Sequence, residues 1–327
     1  MSGFREMVKQ KLTKYLFKLR IEELLAIALF IPMVIFMILF HDKEGFYKSD
    51  IDRLIGTVIT FVFFLLILKI KDLKILQKSL LTRWLAAFLQ FLREILPFGF
   101  CILIYTNMHN MVHLINPNDV DETLIKIDDW LLGFQPSVAL QTFISKPMTD
   151  YMFFSYSMFF VYPMLLPAIL YFRGNYNAFR KTLVSIILAF YAGYIGYIIF
   201  PAVGPKYTLT EFFYTHLDGG IIADKIAFVV DYSISHHTRR DCFPSLHNGI
   251  TMLTLLFAFK YQRWFFYILL PLALSLFLST LYLRYHYFID MIAGYALAVF
   301  MFYMGPKIES FWSKKMKERT TPEYLHK

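Results

Sequence analysis

The chain has 327 residues, 57% of them hydrophobic and 19% aromatic, with a formal net charge of +9, and its mean hydropathy is +0.51. That much apolar surface exceeds what a soluble core buries, which excludes a water-soluble globular domain and points to an integral membrane protein. Two cysteines cannot make a disulfide framework; Cys101 lies within an apolar stretch and Cys242 reads as packing.

A hydrocarbon core ~30 Å thick needs about 20 apolar helical residues. Eight stretches qualify, near 22–40, 54–70, 95–115, 151–172, 182–200, 245–260, 264–283 and 286–305. The expected fold is all-α, a polytopic membrane bundle of about eight spans. Residues 1–90 supply a basic tail and two extra spans, residues 91–306 a six-span catalytic core, and residues 307–327 a second basic tail.

The first span follows Arg5, Lys9, Lys11, Lys14, Lys18 and Arg20 without a small-residue cleavage site, so it is expected to stay. Basic residues recur after the second span (Lys69, Lys71, Lys74, Lys78, Arg83), the fourth (Arg173, Arg180, Lys181) and the sixth (Lys260, Arg263), and in the C-terminal tail (Lys307, Lys314, Lys315, Lys317, Arg319). The connection after the third span is acidic instead: Asp119, Asp121, Glu122, Asp128 and Asp129. By the positive-inside rule both termini are cytoplasmic and the 201–243 loop faces outward. Basic residues in short loops beside spans are explained by orientation and anionic lipid headgroups, and no nucleic-acid partner is expected.

Near the outer end of the third span, Asn107, His109, Asn110 and His113 are expected to line a headgroup cavity. His109 and His113 are four apart, a spacing that can ligate a metal from one helix face. No carboxylate cluster or further Cys/His set accompanies them, so no metal and no cofactor is expected. At the cytoplasmic end, pairing and snorkelling account for Arg93 and Glu94. Residues 128–145 read as short helices in the outer interface, a collar with Trp130 at headgroup depth. The 201–243 loop is too long for a plain connection, and its content favours function.

Phe243-Pro244-Ser245-Leu246-His247 opens the sixth span. Pro244 suits the first helical position, where the amides of Ser245 and Leu246 would be free donors to an anion. His247, in the same turn, is placed to give a proton to a departing phosphate oxygen. Arg284-Tyr285-His286-Tyr287-Phe288-Ile289-Asp290 enters the last span. Residues four apart share a helix face, so Asp290 can accept from one imidazole nitrogen of His286 and leave the other as a nucleophile. An ionisable pair inside a span is costly enough to suggest function.

These two segments, with Ser279-Thr280 ahead of the second, resemble the type 2 phosphatidic acid phosphatase superfamily. More closely, they resemble the branch that holds fungal inositol phosphorylceramide synthases, to which the Asp128 to Ser137 stretch is also similar. The resemblance implies that His286 forms a phosphohistidine, that Asp290 orients it and that His247 protonates the leaving group. It also implies that Ser245 helps bind phosphate, beside the Leu246 amide already read as a donor, and Lys206, in Pro201-Ala202-Val203-Gly204-Pro205-Lys206-Tyr207, matches the first motif loosely. The phosphatase branch has arginines where Phe213 and Thr280 stand here, and each departure removes a bidentate phosphate ligand. Arg239, Arg240 and Arg284, each close to a motif, are the candidates to supply the missing charge.

The implied activity is phosphotransfer from a membrane phospholipid to a lipid alcohol on the extracytoplasmic face. The alternative is hydrolysis of phosphatidate or a polyprenyl phosphate, with water as acceptor. A lipid transporter or scramblase has no use for a His/Asp pair beside a phosphate-type helix start.

Overall fold

The computed structural model describes residues 19–40, 55–60, 62, 80–108, 111–232 and 240–320, and every regular element among them is helical. In chain order, α1 (Ile21–Phe40) and α2 (Leu80–Met108) precede a short amphipathic helix, α3 (Asp121–Leu132). Then follow α4 (Lys146–Ser157), α5 (Tyr162–Phe172), α6 (Tyr176–Ile199) and α7 (Ile221–Tyr232). The chain ends on α8 (Leu246–Tyr261), α9 (Arg263–Tyr282) and α10 (Phe288–Thr320). The protein is an all-α polytopic membrane bundle.

Five of the described helices are long and apolar enough to cross a membrane, or six with the α4–α5 pair taken as one broken span bent by 47°. Pro163, at the start of α5, has no N–H to carry the hydrogen-bond ladder across the break, and the chain bends there. Of the eight apolar stretches in the sequence, 54–70 lies largely outside the described residues. The stretch at 245–260 forms α8, whose 16 residues span about 24 Å, less than a full hydrocarbon core. A short helix is tolerable there because α5, α6, α9 and α10 enclose it, and Ile250, Leu253 and Phe257 are fully buried.

α8 and α10 meet backbone to backbone. A Cβ on Gly294 would lie 2.4 Å from the carbonyl oxygen of Ser245, and one on Gly249 would lie 2.8 Å from that of Gly294. Small residues at a membrane helix crossing permit this approach. At the far end of the bundle Arg20 grips Glu94 with two hydrogen bonds of 2.8 and 2.7 Å. Arg180 bonds Glu22 at 2.6 Å and Glu309 at 3.2 Å, so Glu94 is paired as its sequence position suggests. Asp290 and Glu309 lie on one helix, about 28 Å apart at 1.5 Å per residue. The charge cluster and the two motif histidines are thus separated by about one hydrocarbon thickness.

Candidate active site

α3 ties the motifs together from outside the bundle. Asp121 accepts hydrogen bonds from the amides of Val203 (2.9 Å) and Gly204 (2.8 Å) and from the Tyr287 hydroxyl (2.8 Å). Seven residues on and facing the same way, Asp128 accepts from the amides of Phe288 (2.7 Å) and Ile289 (2.9 Å). These are the first amides of α10, so a carboxylate from another element caps that helix at its positive end. Burial pushes the Asp128 carboxyl up to about 6 against the two amides that favour its charge. Asp128, in the stretch expected to form a collar, therefore holds the start of α10. Beside it, Gly204 has φ +92° and a Cβ there would sit 2.7 Å from the Tyr285 carbonyl. Glycine lets the turn at Pro205–Thr208 approach closely enough for the Lys206 amide to donate to the Arg284 carbonyl at 2.8 Å.

His286 does not lie on α10, and its expected helix face shared with Asp290 is not formed. α9 ends at Tyr282, Arg284 turns left-handed with φ +64°, and the amides of Tyr285 and His286 fold back onto the Thr280 carbonyl at 3.0 and 3.2 Å. This is the usual way to close a helix C-terminus, with arginine where glycine is common. α10 starts only at Phe288, under the Asp128 cap, so His286 is presented from the turn. Its Nδ1 lies 2.9 Å from the Cys242 carbonyl and 3.4 Å from Asp290 Oδ2. The carbonyl is the better-placed acceptor, and donation to it leaves Nε2 with the lone pair.

Asp290 Oδ2 is held by the Tyr287 amide at 2.7 Å and by the Cys242 thiol at 2.8 Å. Burial, and then the Asp290 charge, push the Cys242 thiol well above its ordinary range, so it keeps its proton and donates. Cys242 is more than packing: its carbonyl fixes the imidazole and its thiol holds the carboxylate.

The Phe243 to His247 segment also departs from expectation. The helix begins at Leu246, with Ser245 as its cap and Pro244 before the cap. Ser245 is fully buried; its hydroxyl accepts from the Asn248 side chain at 2.8 Å and its amide donates to the Asp290 carbonyl at 3.1 Å. Its amide ties α8 to α10, and its hydroxyl is engaged as the cap of α8. The Leu246 amide stands at the first helical position, where helix geometry supplies no intrahelical acceptor. The His247 ring stacks on Tyr156 at 4.4 Å and packs against Phe159 at 4.2 Å. It lies 5.8 Å from the His286 ring, centroid to centroid.

Of the candidate arginines among the described residues, Arg284 is the one that lies beside the histidine motif without a carboxylate partner. Its guanidinium lies 3.9 Å over the Phe213 ring and one terminal nitrogen donates to the Thr215 carbonyl at 2.6 Å. Its Nε is buried without a partner, and burial lowers its pKa from the ordinary value. Phe213, where the phosphatase pattern has an arginine, is a platform for one supplied from elsewhere. Thr280, at the other such position, accepts from Asn248 at 3.1 Å and links α9 to α8. Lys206 Nζ reaches over the Tyr285 ring at 5.4 Å.

Arg240 is committed to Asp119 through two nitrogens, one at 3.0 Å, so it is not placed as a phosphate ligand. Arg239, His109 and Asn110 lie outside the described residues. Asn107 is buried and donates to Thr57 at 2.9 Å and the Leu103 carbonyl at 2.8 Å, so it joins helices instead of lining a headgroup cavity. His113 is half-buried, on a short helical turn at Val112–Ile115.

Three features had no local signal in the sequence. The Asp121 and Asp128 ties, the Cys242 contacts and the aromatic bracket of Tyr156 and Phe159 each join positions far apart in the chain. A family model described as the PAP2 superfamily matches residues 122–304, a range that contains Lys206, Cys242, His247, Arg284, His286 and Asp290. No curated protein and no solved structure matches the chain.

Proposed function

The chain belongs to the PAP2 superfamily, phosphatase- and phosphotransferase-type enzymes of lipid phosphates, and on that premise we propose that it moves a phospho-headgroup from a phospholipid to a lipid alcohol. The observation that carries this reading is the pairing of two imidazoles 5.8 Å apart, one with Nδ1 turned onto a backbone carbonyl. One phosphoryl group can contact both rings.

His286 Nε2 attacks phosphorus and the bond to the glycerol oxygen breaks, while imidazolium His247 gives that oxygen its proton. Neutral His247 then takes the proton of the acceptor hydroxyl, whose oxygen attacks phosphorus, and the N–P bond breaks. Arg284, Lys206 and the Leu246 amide neutralise the non-bridging oxygens. Tyr156 and Phe159 make the surroundings of the base apolar, which supports a lipid alcohol over water as acceptor. The resemblance of the motifs to the inositol phosphorylceramide synthase branch supports the same choice.

The test is incubation of purified protein with headgroup-labelled phospholipid, with and without a ceramide-like alcohol. Label appearing on the alcohol is expected; release of free phosphate or headgroup phosphate at the same rate in both would make the enzyme a hydrolase.

Arg284→Lys is expected to lower kcat/KM by about 10- to 100-fold, the loss of a charge-assisted contact. Phe213→Leu, which removes only the platform, is expected to cost about tenfold or less. An equal loss in Arg240→Lys would remove Arg284 from its special place.

The side on which this happens follows from the alternation of basic loops: both termini in the cytoplasm and the histidines outside. A cysteine replacing Asp218 is then expected to react with an impermeant thiol reagent from outside, and one between Lys71 and Lys78 only after the membrane is opened. The reverse pattern would invert the orientation and make the inner leaflet the source of donor lipid.

A further inference from the structure

Behind the nucleophile three different ligand atoms converge. Cys242 Sγ is 2.8 Å from Asp290 Oδ2 and 3.6 Å from His286 Nδ1, and Nδ1 is 3.4 Å from Oδ2. All three residues are buried. The second carboxylate oxygen, Asp290 Oδ1, is buried with no hydrogen-bond partner. Zinc bonds of ~2.0–2.1 Å to nitrogen or oxygen and ~2.3 Å to sulfur, spread tetrahedrally, place ligand atoms about 3.3–3.6 Å apart. Two of the three separations already have that value, and the third needs to open by roughly 0.7 Å. A thiol, an imidazole and a carboxylate together select a borderline-soft divalent ion over magnesium or calcium.

We propose that Cys242, His286 and Asp290 form an inhibitory site for a thiophilic divalent cation such as zinc. The ion displaces the thiol proton to solvent and takes the lone pair at Nδ1. The proton formerly on Nδ1 moves to Nε2, since a neutral imidazole that ligates through one nitrogen carries hydrogen on the other. The nucleophilic lone pair is thereby lost. A carbonyl, of Cys242 or of Tyr285, which lies 3.3 Å from Sγ, is available as a fourth ligand. Metal binding stands on the ligand atoms alone; the inhibition rests on the reading of His286 as nucleophile.

The experiment uses purified full-length protein and two probes, zinc for activity and cadmium for the ultraviolet charge-transfer band of a cadmium–thiolate bond. Wild type is expected to lose turnover with zinc, to recover it fully with EDTA, and to show the band. EDTA alone is expected to leave the rate unchanged. Cys242→Ser puts a hard hydroxyl in place of the soft ligand, and is expected to lack the band and to need at least about tenfold more zinc for half-inhibition. Cys101→Ser is expected to keep the band. If Cys242→Ser does not fold, Cys242→Ala serves for the same comparison.

A wild type without the band, or a Cys242 variant inhibited at the same zinc concentration, overturns the site. A band that appears with no loss of turnover overturns instead the role of His286, so the two readings fail separately.

Discussion

His286→Ala is expected to abolish turnover and to leave no phosphoenzyme. In the proposed mechanism Nε2 forms the bond to phosphorus, and no other side chain in the described site presents an unengaged nucleophile: the Cys242 thiol is tied to Asp290, and His247 packs against two aromatic rings. Loss of a nucleophile removes the covalent route entirely, and the residual rate reflects only positioning and charge, a fall of at least about 10⁴. His247→Ala is expected to fall by about 10²–10⁴ in turnover, yet still to accumulate labelled phosphohistidine from a donor with an easily departing group. Labelled phospholipid and a rapid alkaline quench, which preserves the acid-labile phosphohistidine, distinguish the two. Equal labelling of wild type and His286→Ala would show that the phosphoryl group is carried elsewhere, and equal activity would return the transporter reading.

Asp290→Asn is expected to reduce turnover by about 10²–10³ in protein that remains folded. A larger figure would apply if Asp290 alone fixed the imidazole tautomer, as it does in a triad of the Ser-His-Asp type. Here the Cys242 carbonyl, at 2.9 Å from Nδ1, does that. In the proposed mechanism the carboxylate supplies negative charge beside a ring that becomes cationic once phosphorylated, with its geometry set by the Tyr287 amide and the Cys242 thiol. The amide of asparagine can still accept from one of these donors but offers no charge. Single-turnover rates of phosphoenzyme formation and breakdown, with folding checked by elution in detergent, decide the matter. A loss below about tenfold would make the pair structural, and one of about 10⁴ would return the tautomer role to Asp290.

Much of this was legible in the sequence because membrane helices and catalytic motifs both write themselves locally. Hydrophobic length located the five or six spans found among the described residues, and the two histidines were picked out from the residues beside them. What escaped was set by contacts between distant segments. A four-residue spacing put His286 and Asp290 on one helix face, but the helix start is fixed by Asp128, some 160 positions away. Pro244 looked like a first helical residue, yet the buried Ser245 hydroxyl wins the cap because Asn248 donates to it. Arg239, Arg240 and Arg284 were equivalent by proximity; only the fold distinguishes a guanidinium paired with Asp119 from one laid on Phe213.

The crossing of α8 and α10 at Gly249 and Gly294 bears on how this protein responds to its lipid surroundings. Bilayers thinner or thicker than a span are accommodated by tilt, and helices at the periphery tilt most freely. α1 and part of α2 present apolar side chains outward, Ile38, Leu39 and Trp84 among them. His247 and His286, in contrast, sit just outside a contact in which two backbones already touch and a serine amide joins them. Mismatch is expected to be absorbed in the outer helices, and the spacing of the two histidines to stay fixed. Turnover measured in vesicles of short and long acyl chains is accordingly expected to change through access of the substrate, seen in KM, and to leave the rate of phosphoenzyme formation in saturated enzyme within a factor of about three. Gly294→Ala, by forcing that crossing apart, should make the same rate depend on acyl length.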